Sequence, residues 1–251
     1  MKIYLSQLID NRSLQRLISE YNTGIELIDF SVGMNLDIME TWLASWSRRL
    51  KKLGSPPVIL HGPFLDLNPV SFEPYVAEAA RKRFHQAYKA AVALHADKII
   101  YHTCRVPQTC LLEGWADSLA AFWNDFLRTH SEIPVAVENV FDEDLEAIAS
   151  FASQVTAPNF SLCLDVGHAH YASAHPVQDW LQVLQPWISH LHFHDNHGVT
   201  DEHLAIKAGS LPWDDVFLAS SHLLSLDGIT LENTSFHDFQ KSLNQLRAAR
   251  L

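Results

Sequence analysis

The sequence predicts an α/β fold, a (β/α)8 TIM barrel forming a single domain over residues 1–251, on three observations. Eight short runs rich in Val, Ile and Leu alternate with longer segments of helical periodicity from one end of the chain to the other. The 251 residues divide into about 31 per unit, the size of one strand plus one helix in a closed ring of roughly 250 residues. Only nine glycines occur, and neither G-x-G-x-x-G nor a Walker A sequence is present, so dinucleotide and P-loop readings of an open sheet are set aside.

The strands are expected at "KIYL" (2–5), "IELIDF" (25–30), "PVILH" (57–61), "KIIYH" (98–102), "PVAVE" (134–138), "SLCLD" (161–165), "SHLHFH" (189–194) and "ITLE" (229–232). Between them, residues 37–54 read as a helix with a basic end and a closing Gly54. Residues 73–95 read as another, with Pro74 in its first turn. Further helices are expected over 111–130, 142–153, 176–185, 212–224 and 236–249.

With 18 basic and 29 acidic residues the formal charge is -11, which repels phosphate backbones and makes duplex DNA a poor partner. No stretch approaches the roughly 18 apolar residues of a membrane span, and residues 1–10 lack the apolar core of a signal peptide, so a cytoplasmic protein is expected. Three cysteines, Cys104, Cys110 and Cys163, argue for free thiols; the Cys104/Cys110 spacing matches no common zinc pattern.

In such a barrel the site is built at the C-terminal ends of the strands. Those ends carry His61, His102, Glu138, Asp165 with His168 three residues on, His192, then Asp201 and His203 in the following loop, and Glu232. A period of two puts Ala136 and Glu138 on one face, and likewise His190, His192 and His194, and Thr230 with Glu232. Any one of these has a structural explanation, a hydrogen-bonded core histidine or a loop cap. Four unpaired carboxylates at one mouth would repel each other, whereas divalent cations would neutralise them and satisfy the five imidazoles. A donor set of this kind suits Zn(II), with Mn(II) or Fe(II) compatible, better than an all-oxygen Mg(II) or Ca(II) cage.

"HGPFLDLNP" (61–69), "AVEN" (136–139), "LDVGH" (164–168), "HFHDN" (192–196), "DEH" (201–203), "GSLPW" (209–213) and "LEN" (231–233) together resemble the strand-end motifs of the xylose isomerase-like TIM barrels, in the same order. That superfamily includes endonuclease IV and the sugar phosphate isomerases and epimerases. The endonuclease-type resemblance implies up to three zinc ions. Glu138 would bridge two of them, His61 and His102 would lie on one, Asp165, His192 and Glu232 on the second, and His168, Asp201 and His203 on the third. The isomerase-type resemblance implies one metal on Glu138, Asp165, His192 and Glu232. Asp165 and His168 are then expected on either side of a turn, serving two metals. His194, Lys207 and Arg105 are expected as substrate contacts, the last two to an anion, with Asp195 and Asn139 supporting the ligands and His190 structural. Phe64 replaces a tyrosine common in the endonuclease branch, and the basic, aromatic stripe for duplex binding is missing.

Two enzymatic functions follow, both on a small phosphorylated or sugar-like substrate, with Glu138, Glu232 and His168 as the catalytic residues. The first expectation is hydrolysis of a phosphoester or phosphodiester at a multinuclear, zinc-type centre. The alternative is a sugar or sugar phosphate isomerase or epimerase, in which one metal polarises a carbonyl while Glu138 and Glu232 move a proton. A noncatalytic metal-binding barrel is the third possibility.

Overall fold

A computed structural model describes residues 1–251. Strands β1 (Lys2–Ser6), β2 (Gly24–Leu27), β3 (Val58–His61), β4 (Lys98–His102), β5 (Val135–Glu138), β6 (Phe160–Asp165), β7 (Ile188–Phe193) and β8 (Gly228–Leu231) pair in chain order, and β8 returns to β1 to close the barrel. Every pairing is parallel. The eight expected strands are all present, each within about one residue of its predicted ends except the second. That one ends at Leu27 because Asp29–Ser31 coil into a 3-10 turn.

Ten helices surround the ring: α1 (Asn11–Tyr21), α2 (Gly33–Asp37), α3 (Met39–Lys52), α4 (Pro74–Ala93), α5 (Trp115–Leu127), α6 (Leu145–Gln154), α7 (Val166–Ala172), α8 (Val177–Leu184), α9 (Trp213–Ser221) and α10 (Phe236–Ala249). No helix is long and apolar enough to cross a membrane. Sequence reasoning missed α1, which buries only Leu14, Leu17 and Ile18. Its start was nonetheless marked, since Asp10 accepts hydrogen bonds from the amides of Arg12 and Ser13. The expected helix over 37–54 is α3, two residues shorter at each end, with the short α2 ahead of it across Ile38. The missed α7 overturns the expected turn between Asp165 and His168. Asp165 caps a helix there, its Oδ1 accepting the His168 amide at 2.7 Å.

Two layers of core result. The outer one packs the helices on the barrel and contains the fully buried Trp46, Trp123, Trp180 and Phe151. The inner one is small, formed by Tyr4, Ile59, Ile100, Ala136 and Cys163, one residue from each of five strands. It acts as an apolar floor, so the next inward residue of each strand, two positions on, is lifted to the mouth. Below the floor Lys98 reaches across the ring to Asp227 Oδ1 (2.6 Å) and Ser189 Oγ (2.9 Å), closing the bottom with a paired charge. The β6/β7 register slips at Leu162/Cys163, and beyond that point Asp165 lies beside His192. Without the slip the imidazoles of β7 would face outward.

The floor tolerates little added volume. A Cβ on Gly228 would stand 2.7 Å from the buried His190 ring and 3.0 Å from Tyr4. Gly228→Ala is expected to cost about 1–3 kcal/mol, read as a loss of roughly 3–10 °C in thermal midpoint; an unchanged midpoint would show that the floor yields.

Candidate metal centre

All nine predicted ligands meet at the C-terminal mouth, in overlapping groups whose ligand atoms lie within 4.8 Å of one another. His61, His102 and Glu138 form one group, Asp165, His192 and Glu232 a second, and His168, His194, Asp201 and His203 a third; Glu138, Asp165 and His168 connect them. In the first, His61 Nε2 and His102 Nε2 are 3.1 Å apart and each is 3.5 Å from Glu138 Oε2. In the second, His192 Nδ1 faces Glu138 Oε1 at 3.2 Å, Glu232 Oε1 at 3.3 Å and Asp165 Oδ2 at 3.9 Å. In the third, Asp201 Oδ2 is 3.4 Å from His168 Nε2 and 3.1 Å from His203 Nε2.

The imidazoles are oriented by main-chain carbonyls. His61, His168 and His203 direct Nδ1 to the carbonyls of Gly62 (2.9 Å), Asn139 (3.0 Å) and Glu232 (2.7 Å). A carbonyl oxygen only accepts, so each Nδ1 carries hydrogen and each Nε2 is left facing the mouth. His192 is held differently. Its Nε2 contacts Glu26 Oε2 at 3.2 Å, and the Thr230 hydroxyl donates to the same oxygen at 2.6 Å. Glu26 is a fully buried acid that sequence reasoning passed over. Its signal was present in "IELIDF", where the acid interrupts an apolar run with Ile25 and Leu27 facing the other way.

The charges balance within this cluster. Burial raises the carboxyl of Glu138, but the imidazoles of His192 and His102 outweigh it and hold Glu138 well below the ordinary carboxylate range. Burial likewise opposes charge on His192 and His168, yet the surrounding carboxylates keep both imidazoles well above their ordinary value. His203 is pushed up to about 9, its hydrogen bond to Asp201 overriding its burial. His102 goes the other way, lowered to about 3 by burial and by the imidazoles beside it. Glu232 is raised, by burial first and then by the Glu138 charge.

The residues fit a cation. Glu138 Oε2, His192 Nδ1 and His194 Nδ1 are buried and have no hydrogen-bond partner. Each points into one of the groups just described, and a buried polar atom without a partner costs about 1–3 kcal/mol. A divalent ion among them would satisfy the atoms and neutralise the carboxylates together.

Three expected contacts are placed differently. His194, expected near the rim as a substrate contact, is fully buried, stacks on His203 at 4.2 Å and contacts Asp165 at 3.1 Å, so it belongs with the third ligand group. Lys207 is turned away from the mouth by a left-handed backbone (φ 67°), and its ammonium bonds Asp214 at 2.6 Å on the outside of α9. Asp195 touches no ligand imidazole. It accepts from the Gly209 and Leu211 amides and from Trp213 Nε1 (2.7 Å), which fixes the loop ahead of α9. Asn139 does support the site, bonding both the amide and the carbonyl of Asp165. Arg105 is buried beside the mouth. His190 is structural, sharing a 2.8 Å contact with Thr230, and Cys104, Cys110 and Cys163 are free thiols.

Above the ligands opens a cavity of about 370 Å³, walled by Ser6, Leu8, Phe64, Phe141 and Tyr171, a size suited to a small molecule. The Phe64 ring lies on that of His102 at 4.3 Å.

The family model for xylose isomerase-like TIM barrels matches residues 17–223. A curated relative, the uncharacterized protein MJ1311 of Methanocaldococcus jannaschii, is 27% identical over 208 residues, 76% of this chain and 69% of its own. Among solved structures, a D-tagatose 3-epimerase-like protein superposes with a TM-score of 0.81 at 22% identity, covering 100% of this chain and 97% of the other. The TTHB071 protein from Thermus thermophilus, soaked with ZnCl2, superposes at 0.80 with 24% identity, covering 99% and 98%. Sugar epimerases recur among the further neighbours.

Two outcomes follow from the geometry. Glu26→Ala is expected to weaken metal binding about 10–100-fold, since it releases the outer nitrogen of His192; chelator competition measures this, and an unchanged affinity would remove Glu26 from the site. Metal loading at pH 7 should also release about one proton per chain, because a cation held with His192 takes over the Nδ1 of an imidazole that its surroundings keep well above the ordinary value. Affinity should therefore fall as pH drops, because the proton competes with the cation for His192. Calorimetric titration in buffers of different ionisation enthalpy counts the protons, and a count of zero would contradict the charge balance.

Proposed function

Because the chain belongs to the xylose isomerase-like TIM barrel family, we propose that it is a metal-dependent isomerase or epimerase of a sugar or sugar phosphate. One observation carries this reading. Glu138 and Glu232, three strands apart around the ring, both approach His192 Nδ1, and their surroundings push their protonation in opposite directions. One carboxyl is held below the ordinary carboxylate range and the other above it, an asymmetry that suits a base and an acid. The recurrence of sugar epimerases among proteins of this shape supports the same reaction class.

The cation would be held by Glu138, Asp165, His192 and Glu232, and when bound it polarises the oxygens flanking the reacting carbon. Ionised Glu138 accepts the proton from the carbon next to the carbonyl. Glu232, the carboxyl that burial shifts towards holding a proton, returns one. Delivery to the opposite face of the same carbon gives the epimer, whereas delivery to the neighbouring carbon, with the hydroxyl proton passing to the former carbonyl oxygen, moves the carbonyl. Phe64 and Phe141 wall the cavity and limit water around the transferred proton. Zinc suits the mixed imidazole and carboxylate donors, as Mn(II) or Fe(II) also would.

A second reading, hydrolysis of a phosphoester on a small substrate, is favoured by one specific feature. The His61/His102 and His168/Asp201/His203 groups exceed what a single metal uses. Metal content separates the two: about one equivalent per chain accords with proton transfer, and two or three accord with hydrolysis.

Glu138→Gln is expected to lower turnover at least about 100-fold, since it removes the base and a ligand at once. His61→Ala should leave an isomerase or epimerase within a few-fold of the parent. Ketose and aldose interconversion, assayed beside cleavage of a chromogenic phosphodiester, reads both variants. Phosphodiester cleavage that fails with His61→Ala, in a protein inert towards sugars, would overturn the proposed reaction.

A further inference from the structure

We propose that a cleft beside the metal centre, built around Arg105, is an anion seat, and that the substrate carries a phosphate group that occupies it. This deepens the reading above and rests on it only for the rest of the substrate.

Two basic side chains are buried in this protein, Lys98 and Arg105. Lys98 is paired, its ammonium 2.6 Å from Asp227. Arg105 is not. It is 6% exposed, its guanidinium has no carboxylate within 4.0 Å, and its buried Nε has no hydrogen-bond partner. The remaining arginines lie nearer the surface, where water solvates them. Its Nε is buried without a partner while no protein acceptor holds its terminal nitrogens, which face the cleft, so the guanidinium of Arg105 offers its planar fork to an anion from outside.

The chain is built to place it there. The backbone of Cys104, two residues past the end of β4, is left-handed (φ 57°), which turns the next side chain inward. Asp142 feels the Arg105 charge but forms no ion pair with it within 4.0 Å, and its Oδ2 is taken by the Thr103 hydroxyl at 2.7 Å and the Val140 amide at 3.0 Å.

Arg105 lines a cleft of about 390 Å³ together with Asn68, Ser71 and Thr109. Asn68 accepts the Val70 amide through Oδ1 and turns its amide group to Cys110, which leaves one of its two amide hydrogens to spare; Ser71 accepts the Glu73 amide, leaving its hydroxyl proton free. One carboxylate, the exposed Asp66, also lies on the wall. A planar fork with two neutral donors matches the several oxygens of a phosphate better than the two of a carboxylate. The cleft shares Phe64, His102, Val140 and Phe141 with the cavity over the metal ligands. One molecule can therefore lie with its phosphate at Arg105 and its reacting end over Glu138.

The test is binding, not turnover, so it stands whether or not the proposed reaction is found. Zinc-loaded protein and its Arg105→Met variant are titrated with inorganic phosphate, and separately with acetate, with zinc content and thermal midpoint recorded for both. Phosphate is expected to bind the parent at least about tenfold more tightly than the variant, at equal zinc content. The anion-free variant should melt close to the parent, because the substitution breaks no hydrogen bond or ion pair within the protein; this also shows that lost binding is not lost folding. Equal phosphate affinity in the two proteins would place the anion on the metal alone and overturn the proposal. So would the lack of phosphate binding to the parent at tens of millimolar, or acetate binding as tightly with the same dependence on Arg105.

Discussion

The structure turns on the need to balance charge in a buried place. Glu26, Glu138 and Asp165 lie at the barrel mouth almost entirely out of water, with Glu232 little more exposed. Left ionised and alone they would repel one another at a cost far above the net stability of a domain. The protein meets this with imidazoles in interleaved positions, so that nearly every carboxylate oxygen faces a ring nitrogen. Such a set can be neutral in two ways, with protons on the nitrogens or with cations between nitrogens and oxygens. The same residues therefore stabilise the fold without a metal and are ready to exchange protons for one.

Readiness depends on orientation, and the orientation comes from the barrel itself. Where a parallel strand ends, the carbonyls past its last ladder bond still need donors. His61, His168 and His203 meet that need at Gly62, Asn139 and Glu232, and in doing so fix which nitrogen looks inward. A backbone requirement and a ligand requirement are met by one hydrogen bond. His192 lies deeper, where neighbouring carbonyls are used within the sheet, and takes a carboxylate, Glu26, as its outer partner. Asp165 shows the same economy. Its Oδ1 caps α7 while its Oδ2 faces His192 and His194, so the start of a helix and the floor of the site are held by one side chain.

What could be read from the sequence followed from periodicity. Strand ends are marked by a polar residue closing an apolar run, and alternation tells which side chains face in, so the eight strands and the nine side chains that meet at the mouth were visible. Glu26 was not, because it sits inside its strand, where an acid reads as an irregularity until the His192 ring is seen to reach it. The short α1 and α7 were hidden for a different reason. They bury few apolar residues, and their signal is a capping aspartate, Asp10 or Asp165, which in sequence resembles any loop acid. The β6/β7 slip left no local trace at all, being set by how two strands fit.

The two cations expected near the mouth show how far sequence position falls short of address. Lys207 and Arg105 both lie in loops at the C-terminal end of the ring, and both have a left-handed residue at hand, Lys207 itself and Cys104 before Arg105. In the first case the turn carries the side chain outward to Asp214 and solvent, where an exposed ion pair contributes at most about 1 kcal/mol. In the second it carries the charge inward, where Asp142 feels it but no carboxylate closes on it within ion-pair distance. A lysine on a flexible stem finds a partner at the surface; a buried, planar guanidinium waits for one. Retaining an unsatisfied charge costs stability with no return inside the folded chain. That cost is offset only when something outside the chain completes the contact, which ties Arg105 to the ligand and the ligand to the cleft beside His102.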